Sequence, residues 1–128
     1  MKNETIIWLK YANENLSSAE LLLDGSLFNP CLQNVQQAVE KYLKAIIVEA
    51  SLGLRKTHSI GELRNALESA EIAVDLTEDE CELLDSIYLP SKYPLGGVLP
   101  DFEPDMVICT KCIAIAGRIK QSVEQHFS

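Results

Sequence analysis

Along the opening stretch of the chain Trp8, Ala12, Leu16, Ala19 and Leu23 recur every three or four positions, and Ile6, Leu9 and Leu22 widen the same stripe. That is the period of one helical face, and it predicts a helix from about Glu4 to Leu23. Asp24-Gly25 stops it, since glycine accepts the left-handed backbone that a helix end needs. Asn29-Pro30 reads as an N-cap followed by proline at the first helical position, where a missing N–H costs nothing. A second helix then runs to about Leu52, with Cys31, Val35, Ala38, Tyr42, Ala45, Ile46 and Glu49 along its seam, and Gly53 closes it.

Ser59-Ile60-Gly61-Glu62 and Thr77-Glu78-Asp79-Glu80 both have the form of a capping box. They open two shorter helices, about Ile60–Ala70 and Glu78–Tyr88, which turn Leu63, Ala66 and Leu67, then Cys81, Leu84 and Ile87, inward. Pro90 biases Leu89 away from helix, so the fourth is expected to end there. Leu89–Glu103, with three prolines and Gly96-Gly97, reads as a long loop. The last helix runs from Pro104 to about Gln125 and is apolar nearly all round its middle, the pattern of a helix wrapped by others or buried in a dimer. No strand-like alternation and no repeat interrupts this series. The reading is an all-α, up-and-down bundle of three long and two short helices, with residues 1–128 as a single domain and a homodimer as the expected assembly.

Composition narrows the function classes. An apolar fraction of 47% suits a chain that buries a core. No apolar run approaches the ~20 residues that span a bilayer, and Met1-Lys2-Asn3-Glu4-Thr5 lacks a secretory signal, so no membrane association and a cytoplasmic location are expected. A net charge of −8 argues against broad, sequence-independent nucleic-acid binding. The charge is unevenly spread. Glu68 to Asp85 is rich in acids and has no Lys or Arg, whereas Lys41, Lys44, Arg55, Lys56 and Arg64 fall close together upstream. The acidic run reads as a solvated face, and the basic residues can form a local positive pocket. Cys109 and Cys112 form a CxxC, but inside a continuous helix and with no second close pair. All four cysteines therefore read as small core hydrophobes, with no metal expected.

Candidate chemistry gathers in three places. Gln37, Lys41 and Lys44 share one face of the second helix, and Glu40 can pair with Lys44 one turn on. Taken alone, that segment reads as a solvated face with an ion pair worth about 0.3 kcal/mol. His58 adds an imidazole beside Arg55 and Lys56, just before a helix start. Tyr88, Lys92 and Tyr93 add aromatic surface and a cation where the fourth helix gives way to the loop, a set able to stack on a base and hold a phosphate. Phosphate loops, nucleophile elbows, HExxH and glycine fingerprints are absent, and no cofactor is expected.

These segments together resemble the HEPN family of small prokaryotic helical domains. The likeness is carried by Trp8 with Ala19-Glu20-Leu21-Leu22, by Gln37-Ala38-Val39-Glu40-Lys41 with Lys44-Ala45, by Thr57-His58 with Leu63, and by Tyr88 with Ser91-Lys92-Tyr93-Pro94. Many members are encoded beside a minimal nucleotidyltransferase and act with it as a two-component pair, often a toxin with its antitoxin. The resemblance implies a dimeric bundle that binds a nucleotide or RNA, or docks onto such a partner, through Gln37, Lys41, Lys44, His58, Lys92 and Tyr93. Ribonuclease members use an Arg followed, after four to six residues, by His. Here Arg55 and His58 are too close, Arg118 and His126 too far apart, and Lys92 stands where the family usually has arginine. The resemblance therefore implies a non-catalytic module, with a metal-independent ribonuclease built on His58 and Arg55 or Lys92 as the alternative.

Overall fold

The computed structural model describes residues 1–53, 55–92 and 103–127, with the side chains of all of these except residues 88–92. The chain forms α1 (Asn3–Asp24), α2 (Phe28–Glu49), α3 (Ile60–Ser69), α4 (Glu78–Lys92) and α5 (Met106–Phe127), and no strand occurs among the described residues. No helix is long and apolar enough to cross a membrane.

The centre of the bundle is α2, which packs against each of the other four helices. Its sequence explains why. Apolar side chains occupy several sides of it, and Cys31, Leu32, Val35, Ala38, Val39, Tyr42, Leu43 and Ile47 are essentially shut off from water. The wrapped position expected for the last helix thus belongs to the second. One face of α5 is buried, through Cys109, Cys112, Ile115, Ala116, Ile119 and Val123, whereas Met106 and Val107 in its first turn are exposed. Leu63 and Leu67 of α3 and Cys81, Leu84 and Ile87 of α4 complete the core.

Three helices end in the same way, and not at glycine. After α1, α2 and α3 the left-handed residue is Ser26 (φ 58°), Ser51 (φ 58°) or Glu71 (φ 61°). In each case the next amide reaches back across the last turn: Leu27 N–H to Leu22 O (2.9 Å), Leu52 N–H to Ile47 O (3.1 Å) and Ile72 N–H to Leu67 O (2.9 Å). This is the Schellman arrangement, with an apolar residue following the left-handed one each time. Gly25, expected to supply the left-handed turn, instead has φ −87°.

Helix starts also differ from the expectation. α2 begins at Phe28, before Asn29, and has no side-chain cap. Pro30 still falls in the first turn, where its absent N–H would have had no intrahelical partner. α4 runs through Pro90 to Lys92 instead of ending at Leu89. A proline this near the end forfeits a single backbone bond, so the bias on the preceding residue is overridden. The remainder of the expected loop, 93–102, lies outside the described residues.

Candidate functional site

α1 and α2 run antiparallel. Lys2 ties the start of one to the end of the other through its amide to Glu49 Oε1 (2.9 Å) and its ammonium to Val48 O (2.9 Å). Midway along the pair, Trp8, Tyr11 and Asn15 of α1 meet a polar row on α2.

Glu40 is the hub of that row. Its carboxylate accepts from Lys44 Nζ at 3.1 Å and lies 3.1 and 3.3 Å from His58 Nδ1. The Lys44 and Glu40 side chains are only 6% and 9% exposed, whereas the imidazole is 55% exposed. The solvated ion pair expected from the sequence is therefore a buried one, and the difference is energetic. A buried ammonium deprived of its counter-charge costs about 3–5 kcal/mol, against about 0.3 kcal/mol for an exposed helix pair. The Trp8 ring covers Lys44 Nζ at 5.6 Å from its centroid, a cation–π contact.

His58 is presented by a short segment anchored at several points. Gln36 Nε2 donates to the His58 carbonyl at 3.2 Å. Thr57 Oγ1 accepts from the Ser59 amide, and Ser59 Oγ caps α3 by accepting from the Glu62 amide at 3.2 Å. Glu62 does not return the bond that a full capping box would have. Thr57 Oγ1 holds the Ser59 amide in its place, and Asp85 of α4 adds a second cap, its carboxylate accepting from the Ile60 and Gly61 amides at 2.6 and 3.1 Å and from Ser59 Oγ at 3.0 Å. An anion on the N-terminal amides of a helix is favoured by its dipole. Beside His58, an open hollow of about 430 Å³ is lined by Arg55, Lys56, Thr57, Glu62 and Ala66.

Lys41 belongs to a second set of contacts. Its ammonium donates to Asn15 Oδ1 at 2.6 Å, and Asn15 donates in turn to Asn34 Oδ1 at 3.0 Å. Tyr11 lies 6.0 Å away, at the edge of cation–π range. Partial burial lowers the Lys41 pKa below the ordinary lysine value.

Of the residues singled out in the sequence, Lys44 and His58 therefore share one carboxylate. Lys41 is engaged with α1, and Gln37 is half-buried on α2 and enters none of these contacts. The Lys92 side chain and Tyr93 lie outside the described residues. Glu40, Gln36, Trp8 and Asn15 were not singled out as site residues, although a signal existed. Gln36, Glu40 and Lys44 stand at i, i+4, i+8 between apolar neighbours, a polar row inside a sector that must be buried. The cysteines occupy core positions as thiols, and burial raises Cys81 and Cys112 to about 11 and Cys109 to about 12. Among the described residues no group of acidic, His and Cys side chains has the geometry to hold a metal ion.

This arrangement can be compared with known proteins. A family model described as the HEPN domain matches residues 6–126. The crystal structure of TT1696 from Thermus thermophilus is similar at 26% identity and a TM-score of 0.76, covering 97% of this chain and 98% of that one. The crystal structure of ST0689, an archaeal HEPN homologue, shares the fold at 24% identity and a TM-score of 0.74, with both chains covered in full. No curated protein matches the chain. A five-helix bundle matched almost end to end by the family model, and superposable over its length on an archaeal homologue, leads to one assignment: the chain belongs to the HEPN domain family.

Proposed function

We propose that the protein is a non-catalytic, single-domain HEPN binding module of the cytoplasm. It works as a homodimer and recognises a nucleotide or a nucleotidyltransferase partner, as half of a two-component, toxin–antitoxin-like pair. The observation that carries this reading is the meeting of Lys44 and His58 at Glu40, with Trp8 over the ammonium. A half-exposed imidazole fixed from behind by a carboxylate is a preoriented hydrogen-bonding group. Arg55 and Lys56 in the adjoining hollow add positive charge suited to phosphate. In this reading Gln37, Lys41, Lys92 and Tyr93 form the rest of the contact surface. Titration with a nucleoside triphosphate is expected to shift the amide NMR signals of Arg55–Ser59. Unmoved signals at saturating ligand would remove the nucleotide half of the proposal. The partner half is tested by capture of the product of the adjacent open reading frame, expected to weaken on His58→Ala.

One observation favours the alternative. A carboxylate at the Nδ1 of a histidine is the arrangement that orients a general base. If His58 serves a metal-independent ribonuclease, purified protein will cleave RNA in EDTA and His58→Ala will abolish the cleavage. Absence of cleavage leaves the binding module standing.

A further inference from the structure

α2 and α5 begin side by side, and each carries a thiol in its first turn. Cys31 is the fourth residue of α2 and Cys109 the fourth of α5. Both are shut off from water. The two thiols are hydrogen-bond partners, and Cys109 Sγ also lies 3.5 Å from the Phe28 carbonyl at the very start of α2. Sulfurs already in hydrogen-bond contact need only a small approach to form an S–S bond, whose Cβ atoms stand ~3.8 Å apart. Cys112, one turn further along α5, is buried on the same side and within electrostatic range of Cys31. It is poorly placed to pair with Cys109, since helix neighbours three positions apart hold their Cβ atoms ~5–6 Å apart. Three of the four thiols in the chain thus gather at one helix–helix contact, and one pair among them has the geometry to bond.

Burial raises both thiols, Cys109 to about 12, so neither supplies much thiolate while the bundle is closed. Their place at helix starts provides the route out. α2 has no side-chain cap, and the first turn of α5 is held by the Asp105 carboxylate, which accepts from the Ile108 amide at 2.9 Å. Met106 and Val107 on that turn are 54% and 77% exposed. End turns open at a far lower free-energy cost than the core, and opening this one carries Cys109 to water without unfolding the bundle. We propose that Cys31 and Cys109 form a reversible disulfide with hydrogen peroxide as the oxidant, a redox-sensing bridge that fastens the start of α5 to the start of α2. Peroxide oxidises the Cys109 thiol to a sulfenic acid and releases water. The Cys31 sulfur then attacks that sulfur, and its proton leaves with the hydroxyl as a second water. The two thiols lose two electrons between them, and the peroxide gains them. In a reducing compartment such bridges are transient, which suits a sensor better than a structural staple.

The test exposes the full natural chain, folded and fully reduced, to hydrogen peroxide at neutral pH and then alkylates the remaining thiols. Intact mass is expected to show the loss of two hydrogen atoms, and peptide mapping to join Cys31 to Cys109. The bridged positions lie 78 apart in the chain, so the oxidised form is expected to melt roughly 10 °C above the reduced one, and dithiothreitol to reverse the rise. Cys112→Ala is expected to keep the bridge and Cys31→Ala to abolish it. Asp105→Ala removes the cap on the first turn of α5 and is expected to speed bridging about fivefold. Oxygen adducts without loss of hydrogen, a bridge through Cys81 or Cys112, a link between two copies, or no reaction in the folded chain would each overturn the proposal. So would a bridged chain that melts no higher than the reduced one.

Discussion

At the residue scale, Glu40 does most to turn this sequence into a site. It neutralises a buried ammonium on its own helix and holds a histidine 18 positions away in the chain. Glu40→Gln keeps the shape and removes the charge, leaving Lys44 buried without a counter-ion. We expect a loss of about 3 kcal/mol in urea-induced unfolding. Glu40→Met with Lys44→Met removes both charges and should recover most of that loss, because the Coulomb gain of a buried pair largely repays its own desolvation. A Glu40→Gln variant within about 0.5 kcal/mol of the natural chain would show that the pair is effectively solvated.

At the element scale, the helix ends are where the sequence was least well matched to its backbone. Ser26, Ser51 and Glu71 hold left-handed conformations that L side chains adopt at a cost of about 1 kcal/mol. Glycine there relieves the strain but adds entropy to the unfolded chain, so Ser51→Gly and Glu71→Gly are each expected to stabilise by about 0.5 kcal/mol. Thermal unfolding should register each as a rise of roughly 2 °C. Unchanged or lowered midpoints in both would show that the turns are not strained. The second capping box, by contrast, forms completely: the Thr77 amide donates to Glu80 Oε1 at 3.0 Å, and the Glu80 amide donates to Thr77 Oγ1 at 3.1 Å.

At the scale of the whole molecule, Arg118 joins α5 to the connection before α4. Its Nε reaches the Asp75 carbonyl and carboxylate, each at 3.2 Å, and a terminal nitrogen pairs with Glu80. The Arg118 hydrogen bond is the main reason that the Glu80 pKa falls below its ordinary 4.5. A carboxylate depressed on folding stabilises above its unfolded pKa, and that contribution is lost as pH falls through the folded value. Glu80→Gln should therefore cost about 1 kcal/mol at pH 7, with the gap to the natural chain narrowing as pH falls below the ordinary carboxylate value of 4.5. A gap that does not narrow in acid would point to lost packing instead. The all-helical architecture, the inward stripes and both capping sites were determined by the sequence itself, because apolar period and cap chemistry act over a few residues and need no partner. The family resemblance, too, was visible in the motifs. What only the tertiary structure decided was which groups the buried polar residues meet. The apolar neighbours of Gln36, Glu40 and Lys44 already call for burial of that row, but its partners His58 and Trp8 are set only when α1 and the segment before α3 close over it. α2, not α5, took the centre because burial depends on how many neighbours surround a helix, and a helix's own period reports only which of its sides are apolar.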